Sequence, residues 1–366
     1  MSVLCLMGSW NAPSERFIYR QLQMLKEEAV LDSIVAARLT GNTIWDDIPV
    51  YGLRRGIDTY DHEPNVIPEY STQIEILKDI LSNTKASTIL CQYGTMAVLF
   101  ASLLEFVPQK LFIHVHGKDT HEHMHRPEYR HTFERLARRS TIICTPHVYE
   151  RIVQWHIPRT HLVIKNYGVE IPAEPILRLK NYDVNVLHVG RLIDCKGPDR
   201  TIQAFDLACD LGLQGQLILV GDGPLRDVCE EMRACSKWQC RIHMLGSMAY
   251  QGVTKKLADA DIFTLHSMVG ERSGQIEAFG VAVVEAMAFA LPVVSCSIGG
   301  VKQIVVDGET GIMIEPNDVE SQARAFIKLA QEPELRTQMG LAGWRRAREY
   351  YSYENEKHLL LSILGM

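Results

Sequence analysis

The 366-residue sequence contains no apolar run of the roughly 18–20 residues needed to cross a bilayer, so no membrane-spanning helix is expected. Met1–Met7 is apolar but only a strand's length and lacks a basic leader, so it does not read as a signal peptide. No C-x-x-C occurs among the nine cysteines, and Cys235 and Cys240 have no matching His or Cys pair downstream, which argues against a zinc site and for reduced thiols. Positive charge is not in excess. Lys and Arg number 38 against 44 Asp and Glu, for a net charge of −6, which argues against a general nucleic-acid binder. Internal repeats, low-complexity tracts and a G-x-G-x-x-G dinucleotide fingerprint are also absent.

What is present is an alternation of short apolar runs with helix-like segments. In the first half Val3–Met7, Leu31–Val35, Thr88–Cys91, Leu111–Val115, Thr141–Ile143 and Leu162–Ile164 read as buried strands. In the second half Val184–Val189, Gln216–Val220, Arg241–Leu245, Asp261–Leu265, Pro292–Ser295 and Gly311–Ile314 do the same. Alternating β and α elements imply parallel sheets with helices on both faces, an α/β class. The length favours two domains. The aperiodic, proline-containing segment Gly168–Tyr182 is the expected linker. The expected division is residues 1–175, residues 176–345, and a C-terminal helix within 346–366 that crosses back to the first domain.

Ligands of such sheets bind at the carboxyl ends of the strands. Directly after Val184–Val189 comes GRLIDCKG, Gly190–Gly197. Arg191 offers a planar fork and Lys196 a point charge, a pair suited to a diphosphate, and Pro198 suits the start of the next helix. Glycines Gly221 and Gly223 of GDGP, after Gln216–Val220, allow close backbone approach. In EAFGVAVVEAMAFALPVVS, Glu277–Ser295, a loop through Ala278, Phe279 and Gly280 feeds a helix starting at Val281. Its unpaired N–H groups would favour phosphate. Glu285, on an otherwise apolar helix, needs a polar partner, and ribose hydroxyls would serve. Solvated cations, a tight turn and a protein-satisfied glutamate are the plain alternatives to these readings.

In the first half, HVHGKDTHEHMHR places His116 and Asp119 at a strand tip. His121, His123 and His125 alternate, but no metal site is expected there. Between Lys110 and Lys165 ten Lys or Arg stand against five Asp or Glu. Arg130, Arg135, Arg138 and Arg139 would share one helix, a surface suited to peripheral contact with anionic lipid at the inner face of a membrane, or simply a solvated face.

Taken together, GRL…KG, VGDGPLR, ADADIFTLHS, the pair Glu277 and Glu285 with seven residues between them, and GGVKQIVVDGETGIMIEPND resemble the family-4 retaining glycosyltransferases of GT-B fold, over Val184–Asp318. PSERFIYRQL, HGKD and KNYGVEI resemble segments of exopolysaccharide-building members. Three departures stand out. Ala290 replaces a usual glycine, Lys302 and Gln303 replace Pro and Glu, and His266 replaces Pro. The resemblance implies two Rossmann-like lobes facing across a cleft. It implies a cytoplasmic enzyme that moves a sugar from a UDP- or GDP-linked donor to the hydroxyl of a glycan, lipid-linked or small-molecule acceptor, with retention, in glycan or polysaccharide biosynthesis.

By the resemblance, Arg191 and Lys196 neutralise the diphosphate and Glu277 takes the donor-sugar hydroxyls. Ala278–Val281 hold sugar or distal phosphate, with Gly190, Gly221 and Gly223 nearby. Glu285 binds ribose, and His116 faces the reacting sugar. Gly8, Ser14, Glu15 and Asp119 fall on the acceptor side. No cofactor or metal is expected. A sugar-nucleotide epimerase of the same fold, a glycoside hydrolase using Glu277 and Glu285, and a non-catalytic sugar-nucleotide sensor are the alternatives.

Overall fold

The computed structural model describes residues 2–10, 15–54, 68–117, 119–123, 126–178 and 181–366. The chain forms two units, Met1–Lys165 with Lys357–Met366, and Asn166–Glu356. The final helix, Tyr353–Leu364, thus begins in the second unit and ends in the first.

The first unit holds an eight-stranded sheet. Its strands are β1 Val3–Met7, β2 Leu31–Thr40, β3 Asn42–Trp45, β4 Ile48–Arg54, β5 Thr88–Gln92, β6 Lys110–His114, β7 Ser140–Cys144 and β8 Leu162–Ile164. The order is β3-β4-β2-β1-β5-β6-β7-β8, and every pairing is parallel except β3 with β4. β1 and β5 are buried at every position, as an interior parallel strand covered on both faces requires. The β3–β4 hairpin escapes an apolar-run search because β3 is largely exposed. Its turn places Asp46 and Asp47 at φ 46° and 72°, the left-handed pair of a tight hairpin. After β5 the chain forms two short helices, Gly94–Leu99 and Ala101–Leu104, with a break at Phe100.

The basic stretch looks different once folded. Arg130 pairs with Glu134 at 2.9 Å and Arg135 with Glu105 at 2.6 Å. Arg139 donates to the carbonyls of Leu104, Val107 and Gln109. Three of the four arginines that the sequence offered to a lipid surface are therefore engaged by the protein's own acceptors, so the excess charge supports no membrane contact.

The second unit holds six parallel strands: β9 Asp183–Val189, β10 Gln214–Val220, β11 Ile242–Met244, β12 Ile262–Leu265, β13 Val293–Cys296 and β14 Gly311–Ile314. Their order is β11-β10-β9-β12-β13-β14. The chain winds outward one way from β9 and the other way from β12. The gap beyond the carboxyl ends of those two strands is the topological switch point, where ligands of open α/β sheets bind. Helix Pro198–Asp210 turns Ile202, Phe205, Ala208 and Cys209 inward, and helix Val319–Gln331 meets them with Ala323, Phe326, Leu329 and Ala330. This core clamps the start of the 198–210 helix, and with it the loop that leaves β9. Ala290 takes φ 54°, a left-handed conformation that costs a non-glycine residue about 1–2 kcal/mol. That explains why glycine suits the position. The D-x-D at Asp259–Asp261 has a structural role, since the Asp261 carboxylate accepts the Asn185 amide at 2.9 Å.

Candidate active site

The loop leaving β9 and the loop leaving β12 converge at the switch point. After β9 the chain runs through Gly190–Ile193, turns once at Asp194–Lys196, and starts the next helix at Pro198. Gly197 makes this possible. Its φ is 51°, and a Cβ there would lie 2.4 Å from the His266 carbonyl oxygen. The stem of Lys196 lies over Gly190, where an added Cβ would sit 3.0 Å from its Cδ. The GDGP turn braces this loop from the other side. Gly190 donates to Val220, Leu192 to Asp222 and Leu225 to Leu192.

Lys196 Nζ meets Glu277 Oε2 at 2.5 Å, with both side chains 15% exposed. The sequence assigned these residues to separate tasks, and the structure joins them. Burial raises the Glu277 carboxyl, but Lys196, then Arg191 and the Phe279 amide, more than offset it and hold the group below the usual carboxylate range. Glu277 is thus ionised. Arg191 is exposed and acts on Glu277 through its charge rather than by a hydrogen bond among the described residues. Gly280, at φ 103°, precedes helix Val281–Ala288. In such a helix the amides of Val281 and Ala282 have no intrahelical acceptor. The Phe279 amide, by contrast, serves the Glu277 carboxylate. Glu285 lies part-buried one turn into the helix.

Two supports appeared in the sequence only as parts of the family pattern, with no role assigned. Gly299 and Gly300 lie directly against the Glu277 loop. A Cβ on Gly299 would come within 2.3 Å of the Glu277 carbonyl oxygen, and one on Gly300 within 2.4 Å of Phe279 Cα. The Gly300 amide donates to that Glu277 carbonyl at 2.8 Å. The glycine pair was the available signal. The second is His266, buried at the end of β12. Its Nε2 accepts the Asn317 amide at 2.9 Å, so Nδ1 carries the proton and donates to Gln322 Oε1 at 2.7 Å. Gln322 in turn donates to Thr264 Oγ1. This network, rather than a proline, fixes the end of β12.

In the first unit His116 and Asp119 come together as the sequence suggested. The His116 amide donates to Asp119 Oδ2 at 2.8 Å, and the Thr95 amide to Oδ1 at 3.1 Å. His116 Nε2 lies 3.1 Å from Gln92 Oε1, and its ring meets those of Tyr93 and His114 at 4.4 Å and Phe17 at 4.9 Å. Tyr93 holds φ 73° at the end of β5, an uncommon backbone conformation of the kind that clusters at functional sites. Gly8 accepts the Arg38 amide, and Glu15 directly precedes the first helix. Ser14 and His125 lie outside the described residues, as does the His121 side chain. The His123 ring lies 5.5 Å from that of Tyr129. Among the described residues no group of three His, Cys, Asp or Glu side chains is placed to hold a metal ion.

Four buried histidines among the described residues carry a consequence for stability. Burial pushes His116 and His188 down to about 3, His114 well below its usual value, and His266 below it. In the unfolded chain they take protons near 6.5. Below that pH the unfolded state binds more protons, so folding stability falls as pH drops, by about 1.4 kcal/mol per pH unit for each imidazole. Asp119, raised to about 6 by burial, opposes one of the four, because its folded form gains a proton first. The urea midpoint is expected to fall clearly between pH 7 and pH 5. A flat midpoint would show that these rings are not buried neutral.

Comparison with known proteins agrees with this architecture. The family described as glycosyl transferases group 1 matches residues 174–346. The GDP-mannose-dependent monoacylated alpha-(1-6)-phosphatidylinositol monomannoside mannosyltransferase of Corynebacterium glutamicum is 29% identical over 175 residues, 48% of this chain and 45% of that protein. The amylovoran biosynthesis glycosyltransferase AmsK of Erwinia amylovora is 24% identical over 253 residues, 67% of this chain and 62% of that one. The chain thus spans about half the length of such curated relatives. Among solved structures, Anabaena HepE in complex with UDP superimposes with a TM-score of 0.78 at 18% identity, covering 100% of both chains. The fold is that of the GT-B glycosyltransferases, and residues 174–346 match the family described as glycosyl transferases group 1.

Proposed function

We propose that this chain transfers a sugar from a nucleoside-diphosphate donor to an acceptor hydroxyl, with retention at the anomeric carbon, in the assembly of a glycan or polysaccharide. The observation that carries the proposal is the Lys196–Glu277 pair at the switch point of the second unit, beside the exposed Arg191. An ammonium group has three donors. Glu277 occupies one and orients the group, leaving two for phosphate oxygens. Arg191 adds a planar fork. As the glycosidic bond breaks, negative charge grows on the departing diphosphate. Fixed cations at that place stabilise the transition state more than the ground state. With these two cations in place the proposal needs no metal. Ionised Glu277 accepts hydroxyl donors of the sugar, Glu285 those of the ribose, and the amides opening the 281–288 helix face the sugar or distal phosphate. On this proposal His116 and Asp119 of the first unit serve the acceptor side.

The HepE complex with UDP supports a nucleotide in this fold. A glycoside hydrolase would use two carboxyls flanking the scissile bond, whereas Glu277 is paired with Lys196 at 2.5 Å. The test is a thermal-shift panel of UDP, GDP, ADP and their sugars. A ligand that binds only the folded state raises stability by about 2.7 kcal/mol at a hundredfold excess over its Kd. One nucleoside diphosphate is expected to stand out. A panel without any shift at millimolar ligand would sink the proposal.

A further inference from the structure

The loop after β12 is long, running from His266 to Gly280 before the next helix, and it must deliver Glu277 to Lys196 with little secondary structure of its own. One side chain of the other loop holds it. Asp194, between Arg191 and Lys196, accepts four hydrogen bonds. Its Oδ1 takes the Cys195 amide at 2.9 Å and the Ser273 hydroxyl at 2.8 Å. Its Oδ2 takes the Arg272 amide at 2.9 Å and the Ser273 amide at 3.0 Å.

The held segment is itself a closed turn. Gly270 and Gln275 are joined by a 2.8 Å amide–carbonyl bond, the Gly274 amide donates to Gly270, and the Gln275 amide reaches Ser273 Oγ. Gly270 lies against the clasp. A Cβ there would sit 2.3 Å from Ser273 Oγ and 2.6 Å from Asp194 Oδ1. The Met268 amide adds a bond to the Cys195 carbonyl. These hydrogen bonds hold Asp194 below the usual carboxylate range despite its partial burial, so it remains a charged acceptor near neutral pH.

We propose that Asp194 is a positioning residue for the donor site. It fixes the span between the loop of Lys196 and the loop of Glu277, and thereby pre-organises the ammonium for a nucleoside diphosphate. Asp194 need not touch the ligand. Its effect passes through the Lys196–Glu277 geometry, and a misplacement of about 1 Å suffices to cost of order a hundredfold at a site of this kind. This inference rests on the donor-site proposal above.

The experiment is a calorimetric double-mutant cycle on the full chain with UDP and GDP as probes. Asp194→Ala is expected to weaken the nucleotide that binds wild-type protein by about tenfold or more, and Ser273→Ala, which removes one hydroxyl donor, by less. If Asp194 acts through Lys196, the double variant Asp194→Ala/Lys196→Ala binds no more weakly than Lys196→Ala alone. A general loss of loop structure gives losses that add instead, and overturns the proposal. So does Asp194→Ala binding with wild-type affinity while Lys196→Ala binds weakly. Asp194→Asn gives a check that does not depend on a large truncation. It keeps the size but replaces one acceptor oxygen by a donor, which must face either the Arg272 and Ser273 amides or the Cys195 amide, and is expected to weaken binding in the same direction as alanine. Wild-type affinity in Asp194→Asn overturns the clasp. If wild-type protein binds neither probe, it is the donor-site proposal that fails, and the clasp, having no ligand to position, fails with it.

Discussion

Lys196→Ala is expected to lower the rate of sugar transfer by about 10²–10³-fold, the typical cost of removing one donor that faces developing charge. The variant has a second effect that must be separated from the first. Lys196 is the ion-pair partner of largely buried Glu277, and its removal leaves that carboxylate with only the Arg191 charge and the Phe279 amide, a change that costs less than the about 3–5 kcal/mol of a fully orphaned buried charge. Both transition-state stabilisation and folding stability therefore fall. The double variant Lys196→Ala/Glu277→Ala removes the orphaned charge. Its thermal midpoint is expected to recover toward wild type, while transfer stays at or below the level of Lys196→Ala. Recovery of rate together with stability would show that Lys196 supports the fold and not the reaction. Lys196→Arg keeps the charge but exchanges a point cation for a fork in a space shaped by Gly190, so only partial activity is expected.

The largest effect on folding is expected at Gly221. Its φ is 143°, and an added Cβ would lie 1.8 Å from the Gly190 carbonyl oxygen, a backbone atom held in place by the Gly190–Val220 bond. Neither partner can yield without opening the ladder between the GDGP turn and the GRLIDCKG loop. Gly221→Ala should cost about 3 kcal/mol or more, since steric conflict adds to backbone strain. Gly212→Ala is the control. Its φ of 100° imposes strain too, but nothing lies within 4 Å of the added carbon, so a loss of about 1–2 kcal/mol is expected. Denaturant midpoints at unchanged slope measure both. Equal losses at the two sites would mean that the close approach of the two loops carries no energetic weight.

These residues also show what the sequence can and cannot reveal. The buried parallel strands were legible because a strand covered on both faces must be apolar throughout, as β1 and β5 are. β3 was not legible, because an exposed edge strand carries no such signal. The switch-point loops were legible as cations and glycines in order along the chain. Asp194 was not, although it lies inside the motif, because its partners Arg272 and Ser273 are 78 and 79 residues away. The same distance concealed the pairing of Lys196 with Glu277, 81 residues apart. His266 looked like a departure from the family pattern. Its meaning emerged only from the Gln322 and Asn317 groups that the fold brings to its two nitrogens.

Where a diphosphate binds decides the donor-site assignment. A crystal structure of the chain with the nucleoside diphosphate that most raises its stability would decide it. Phosphate oxygens are expected within about 3 Å of Lys196 Nζ and of the Arg191 guanidinium, at the carboxyl ends of β9 and β12. A diphosphate bound elsewhere, with the Lys196–Glu277 pair untouched, would contradict it.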